Sequence, residues 1–228
     1  MYLQQGQPFY PSNQFAHPKM GNTIIVEGEG TIKVKPDQAK VTLGVVTENM
    51  DVQKAQQENA LISNSVIRAL RDLGIEESSI QTASYTIFPR YDYVEGQSIL
   101  RGYEVEHLLE VLVKDLDIIG RVYETAIRNG VNRSGDIDFI VSNQDFIYQE
   151  ALKRALRMAF EKATVISQSI GARMNPVPNK VTEQNPQQNK VGRVLSAQAQ
   201  TFQAEEIPPI QTGQISIRAT VQVVYVYQ

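Results

Sequence analysis

The sequence predicts an α+β fold, in which a mixed, largely antiparallel sheet carries helices packed on one face. Three observations lead there. Apolar residues alternate with period two in several runs, such as Ile24, Val26, Ile32 and Val34, or Val41, Leu43 and Val45. Between those runs lie stretches whose apolar residues recur every three and four positions, each stopped by a glycine. Two segments also resemble each other: a strand, a helix ending Ala69-Leu70-Arg71 before Gly74-Ile75, and a strand; then a strand, a helix ending Ala126-Ile127-Arg128 before Gly130-Val131, and a strand. The pattern suggests two βαβ-like units, followed by a C-terminal helix and strands.

The first two strands flank Lys35-Pro36-Asp37-Gln38. Pro36 presets φ for a tight turn and Asp37 can bond its own backbone, so a hairpin between Val34 and Ala39 is expected. From about Asp51 to Leu73, Ala55, Asn59, Ile62, Val66, Ala69 and Leu73 are spaced by three and four and form one face of a helix. Asn49 or Asp51 caps its start, and Gly74 ends it. A strand over 79–91, a polar loop at 92–96 and a long strand over 99–113 follow. In that long strand Tyr103, Val105, His107, Leu109, Val111 and Val113 share the face a helix layer should cover. A shorter helix over about 116–129, a strand over 135–142 and a long helix to Ile170 come next, the last opened by a Ser142-x-x-Asp145 capping box. Strands at 177–183 and 214–227 complete the set, the latter in strict alternation from Ile215 to Tyr227.

Two stretches fall outside this pattern. Residues 1–22, rich in Gln, Pro, Tyr and Asn, hold too few aliphatics to offset ordering entropy and read as a flexible tail before a domain spanning 23–228. Residues 184–213, rich in Gln and Pro with weak periodicity, read as a long connection inside that domain.

A chain of 228 residues with 42% hydrophobic and 21% charged residues can build a sizeable core, which argues against a disordered or fibrous class. A formal charge of -3 supplies no basic field for phosphate backbones, so no nucleic-acid partner is expected. The absence of cysteine removes disulfides, thiolate nucleophiles and Cys-based metal sites. The densest apolar stretch, Leu108 to Val113, is far too short for an integral membrane segment, and the first residues lack the apolar core of an export signal. A cytoplasmic location is the expectation.

Each pattern that suggests chemistry also has a structural reading. Gly28-Glu29-Gly30 has the look of a phosphate loop but lacks a third glycine and a following helix, so a bulge or close backbone approach is the better reading. His17 and His107 are the two histidines, too few for a His metal cluster, and His107 reads as a satisfied residue beneath helices. Asp136-x-Asp138 and Asp115-x-Asp117 lack the glycine and glutamate of a Ca²⁺ loop and read as caps and turns. Glu104, Glu106 and Glu110 line one strand face, as solvated or ion-paired residues do, although such a row can also supply acid–base pairs. Lys153, Arg154, Arg157, Lys162 and Arg173 make a basic stripe that Glu150 and Glu161 interrupt. On another face of the same helix Ala151, Ala155, Ala159 and Ala163 permit close approach, within a protomer or between protomers. No catalytic residue, cofactor or metal is assigned.

Several of these residues, taken in order, resemble the SIMPL-domain family: Val26-Glu27-Gly28-Glu29-Gly30, Pro36-Asp37-x-Ala39, Gly74-Ile75 with Ile80-x-Thr82, Gly102-Tyr103, Ala151, Ala155 and Ala163, and Gly213-x-Ile215. The resemblance covers about residues 23–228. It implies a sheet-and-helix domain, ring-like or channel-like homo-oligomers in some bacterial members, envelope or stress roles, and no established catalytic residues. The chain departs from the family in lacking a visible export signal and in the Asn175-Pro176-Val177-Pro178 step. By analogy, the cell envelope or surface is the alternative location.

Three functions follow as expectations. The first is a non-enzymatic homo-oligomeric module, because long strands, above all Gln214–Tyr227, carry edges that copies of the chain would pair. The second is a protein-binding adaptor using residues 184–213 or the tail. The third is an enzyme or small-molecule carrier relying on Asp, Glu, Tyr or Lys in a site that no motif reveals.

Overall fold

A computed structural model describes residues 22–184 and 212–228. The expected tail and most of the 184–213 connection lie outside the described residues. The elements run β1 (Thr23–Val34), β2 (Gln38–Asn49), α1 (Val52–Asp72), β3 (Ile80–Val94), β4 (Gln97–Val113), α2 (Ile119–Arg128), β5 (Arg133–Ile140), α3 (Gln144–Ser169), β6 (Lys180–Gln184) and β7 (Ile215–Val226). The α+β class is as expected, with antiparallel pairing and a helix layer on one face of each sheet. The strands form two sheets instead of one, in the orders β3-β4-β2-β5 and β1-β7-β6.

The expected resemblance between two strand–helix–strand segments has a geometric basis. β2 and β3 run in the same direction with antiparallel β4 between them, and β4 and β5 do so with β2 between them. The two units are therefore interleaved split βαβ units, and β2-α1-β3-β4-α2-β5 has the ferredoxin-like arrangement. Interleaving puts an antiparallel neighbour beside every strand, so the mixed pairing expected from sequence is not formed. α1 and α2 cover one face, where Val41, Leu43, Val45, Leu109, Val111 and Val113 pack against Val66, Leu70, Ile119 and Val122.

The expected β1–β2 hairpin does not form. β1 pairs along its whole length with β7, from Thr23 opposite Val226 to Val34 opposite Ile215. The turn residues serve a crossover between the sheets instead, where the Asp37 carboxylate accepts hydrogen bonds from Ser142 N (2.8 Å) and Ser142 Oγ (2.5 Å). Those bonds hold the Asp37 carboxyl below its ordinary pKa, the Ser142 hydroxyl first among the causes. They also occupy Ser142, so the expected capping box is absent and α3 has Asn143 at its N-cap with no side-chain capping bond. The cap of α1 is as read: Asp51 accepts from Gln53 N and Lys54 N, and Gly74, at φ 101°, closes the helix with Ile75 N donating to Leu70 O.

α3 lies on the smaller sheet. Its alanine stripe is fully buried, and a Cβ added at Gly28 or Gly30 would stand 1.9 Å from the carbonyl oxygen of Ala155 or Ala151 respectively. Gly28-Glu29-Gly30 is therefore a close backbone approach, as its structural reading expected, and the alanines serve packing within one chain. Phe139 packs against both the larger core and the cluster of Val141, Ile147, Ile215 and Ile217 that joins the two layers.

Candidate functional site

His107 sits half-buried at the centre of a polar relay beneath α1. Its Nδ1 is 3.0 Å from Ser63 Oγ, its Nε2 is 3.0 Å from Thr82 Oγ1, and the Tyr85 ring meets it edge-on at 5.4 Å. A serine within reach of an imidazole suggests a nucleophile and its base. The remaining bonds argue otherwise. Ser63 Oγ donates to Asn59 Oδ1 (3.2 Å), and the fully buried Asn59 amide donates to Val45 O (2.9 Å) and Val105 O (3.1 Å). With its proton directed at Asn59, Ser63 is an acceptor for His107 Nδ1–H, and Thr82 can donate to Nε2. Every polar group then has a partner, and Ser63 is buried away from any substrate. Burial lowers the His107 pKa, which favours this neutral, fully bonded ring. The relay clamps α1 to the sheet across the gap between β2 and β4.

The glutamate row faces the opposite side of the larger sheet. Lys40 Nζ meets Glu110 at 2.8 Å, Arg90 Nε meets Glu104 at 3.5 Å, and Arg133 Nη1 meets Glu106 at 2.6 Å. Each carboxylate faces a cation from another strand of the sheet, Arg133 reaching across β2 from β5, which is the ion-paired reading of the row. Asp115 accepts from Asp117 N (3.0 Å) and caps a short 3-10 turn, while Asp138 lies opposite Lys40. Among the described residues no three His, Asp or Glu side chains gather as a metal site would require.

The basic stripe of α3 has a use that its spacing did not reveal. Lys162 Nζ donates to Glu27 O (2.8 Å), Arg154 Nη1 donates to Thr31 O (3.2 Å), and Glu29 N–H points at Met158 Sδ (3.5 Å). Three side chains four residues apart thus cover the outward backbone groups of edge strand β1. The other edges are guarded too: Pro89 stands in β3, β5 is bulged opposite Val41–Leu43, and β6 spans five residues. β7, whose edges motivated the assembly reading, is the central strand of its sheet. Pairing of these guarded edges is therefore not what this structure offers a second copy. On the same helix, Tyr148 Oη makes a very close hydrogen bond to Glu183; burial and that carboxylate push the phenol up to about 12.

What the structure leaves open is an arm. β2 pairs with β4 only as far as Tyr103, so Arg90–Val94 and Gln97–Gly102 continue as a two-stranded projection beyond the sheet. Glu95 (φ 52°) and Gly96 (φ 82°) form its tip, a two-residue turn with both φ angles positive. Tyr91, Tyr93, Val94 and Ile99 are exposed along it, Tyr93 by 81%, and Phe88 is exposed at its root. Arg101 is the extra residue of a bulge, beside a cleft of about 210 Å³ lined by Glu48, Met50, Arg90 and Tyr103. Sequence reading placed a polar loop at 92–96; the alternation of Tyr91 and Tyr93 across Asp92, followed by Glu95-Gly96, was the signal for continuous strands. A second apolar feature, a groove of about 420 Å³, lies between α3 and β1, lined by Val26, Met158, Val165 and Ile166 with Glu27, Glu161 and Lys162. No helix among the described residues is long and apolar enough to cross a membrane.

Comparison with known proteins was made against this geometry. The family model described as "SIMPL: Protein of unknown function (DUF541)" matches residues 24–225. The 26 kDa periplasmic immunogenic protein of Brucella melitensis biotype 1 is 28% identical over 209 residues, covering 89% of this chain and 83% of that protein. The uncharacterized protein YggE of Escherichia coli K12 is 25% identical over 187 residues, 82% of this chain and 76% of its own length. YggE of Edwardsiella ictaluri is 24% identical over 167 residues, covering 73% and 70% respectively.

Proposed function

The chain belongs to the SIMPL family, and from that premise we propose that it is a non-enzymatic module that works as a homo-oligomer, with the β3–β4 arm as its principal contact. The observation that carries this is the unpartnered arm. A lone two-stranded hairpin is marginal in water, and this one exposes apolar side chains on both faces. At about 200 Å² per aromatic side chain, the exposed fractions of Phe88, Tyr91 and Tyr93 leave about 360 Å² of aromatic surface in water. A stable interface takes about 800 Å² from each partner, so these three rings alone supply nearly half. A second copy is the occupant we infer, since every chain brings an arm of this kind.

We place the protein in the cell envelope and not in the cytoplasm. The support is the printed name of the Brucella relatives, which calls them periplasmic. The non-enzymatic reading is supported by the saturated bonding of the His107 relay and by the ion pairing of the glutamate row.

Light scattering after size exclusion tests the assembly. The native chain at micromolar concentration should run as a discrete oligomer, and a Tyr91→Ser, Tyr93→Ser, Ile99→Ser variant should shift to monomer without losing its far-UV dichroism. A monomeric native chain, or an oligomer that the triple variant leaves intact, refutes the proposal.

A further inference from the structure

We infer that the arm of one copy seats in the α3–β1 groove of another copy. This rests on the reading of the chain as a homo-oligomer and adds which two surfaces meet. The chain carries one projecting and one concave apolar surface, and neither has a partner among the described residues. A contact between two arms would leave the groove, with Val165 at 62% exposure and Ile166 at 41%, still in water.

The arm brings rigid aromatic anchors and the groove a space of about 420 Å³, enough to take an aromatic side chain and its neighbours. Tyr91 and Tyr93, which share one face of the arm, expose about 260 Å² of aromatic surface, a third of the share one partner contributes to a standard interface. The guarded edge of β1 explains why the arm would lie in the groove instead of extending the sheet: Arg154, Met158 and Lys162 occupy its outward backbone groups and leave the apolar side chains beyond them as the accessible surface.

The absence of cysteine makes the contact directly testable. Tyr93→Cys and Val165→Cys lie at exposed positions, where neither should disturb the fold; unchanged melting temperatures would confirm that. Under mild oxidation and non-reducing electrophoresis, neither single variant should cross-link alone, their equimolar mixture should give a covalent dimer, and the double variant should cross-link between copies. A dimer from Tyr93→Cys alone would show that arms meet arms and overturn the proposal. So would an uncross-linked mixture whose parent chain still scatters as an oligomer, a result that leaves the broader assembly reading standing. A parent chain that scatters as a monomer would remove both. As a second readout, Val165→Glu should dissociate the oligomer, and mixing it with the triple arm variant should give a heterodimer through the intact arm of the first and the intact groove of the second; persistence of the Val165→Glu oligomer, or a mixture that stays monomeric, overturns the groove assignment.

Discussion

Replacing Gly30 with alanine adds one methyl group at the point where β1 passes beneath α3. The new Cβ would stand 1.9 Å from Ala151 O, 2.9 Å from Ala151 C and 2.7 Å from Ala155 N. All three are backbone atoms, so no rotamer change relieves the clash. Relief requires α3 to retreat by more than about 1 Å toward a normal contact of about 3.5 Å. A gap of that size forfeits up to about half of each dispersion well along the interface, where Ala151, Ala155, Ala159 and Ala163 are fully buried. It also lengthens the bonds from Arg154 to Thr31 O and from Lys162 to Glu27 O. Alanine restricts the unfolded chain, which opposes these losses by about 0.4–1 kcal/mol. Overpacking into backbone costs at the upper end of about 1–3 kcal/mol, so the steric term wins and a net loss near 2–3 kcal/mol is expected. For a protein of this size that lowers Tm by about 4–12 °C. Urea unfolding should show a reduced midpoint with an unchanged slope. A Gly30→Ala variant within about 0.5 kcal/mol of the native protein would refute the close-approach argument.

Three further outcomes are expected. Asn59→Ala leaves Val45 O and Val105 O without donors in the core and should cost about 2–3 kcal/mol in urea unfolding, whereas a cost below about 0.5 kcal/mol would mean that the relay is no clamp. Burial holds the His107 pKa below its ordinary 6.5, so the stability from keeping the ring neutral is complete above that value and declines as pH falls through the lower, folded pKa. Unfolding midpoints measured between pH 8 and pH 5 should drop for the native chain and drop less for His107→Gln; equal slopes would contradict the assignment. Asp37→Ala removes the acceptor of Ser142 N and Oγ and should cost about 1 kcal/mol at neutral pH. Because the Asp37 pKa is lowered from 3.8, that difference should be present above this value and vanish as pH falls below it, which acid titration of both proteins by circular dichroism checks.

Local signals proved dependable where a residue answers to its immediate neighbours. Asp51 caps α1, Gly74 closes it with a positive φ, and Asp115 caps its turn, because each condition spans four residues or fewer. Edge positions were also legible in part: Pro89 has no N–H to give to a ladder and so marks β3 as an edge, although its place in the sequence did not say which sheet. Arg154 and Lys162 were visible as members of an interrupted basic stripe on α3. That they and Met158 reach the carbonyls and N–H of β1, more than 120 residues earlier, was not.

The sequence by itself determined the α+β class, the kind and approximate extent of most elements and the family resemblance, since periodicity, caps and small side chains act within a few residues of themselves. Tertiary structure alone decided which strands pair. Lys35-Pro36-Asp37 suits a hairpin and a crossover equally, and β1 took β7 as its partner because Ile24, Val26, Ala219, Val221 and Val223 bury one continuous face under α3. It also decided that β3 and β4 outrun β2 and so form an arm. Strand length is written locally, but what remains unpaired depends on where a neighbour from elsewhere in the chain stops.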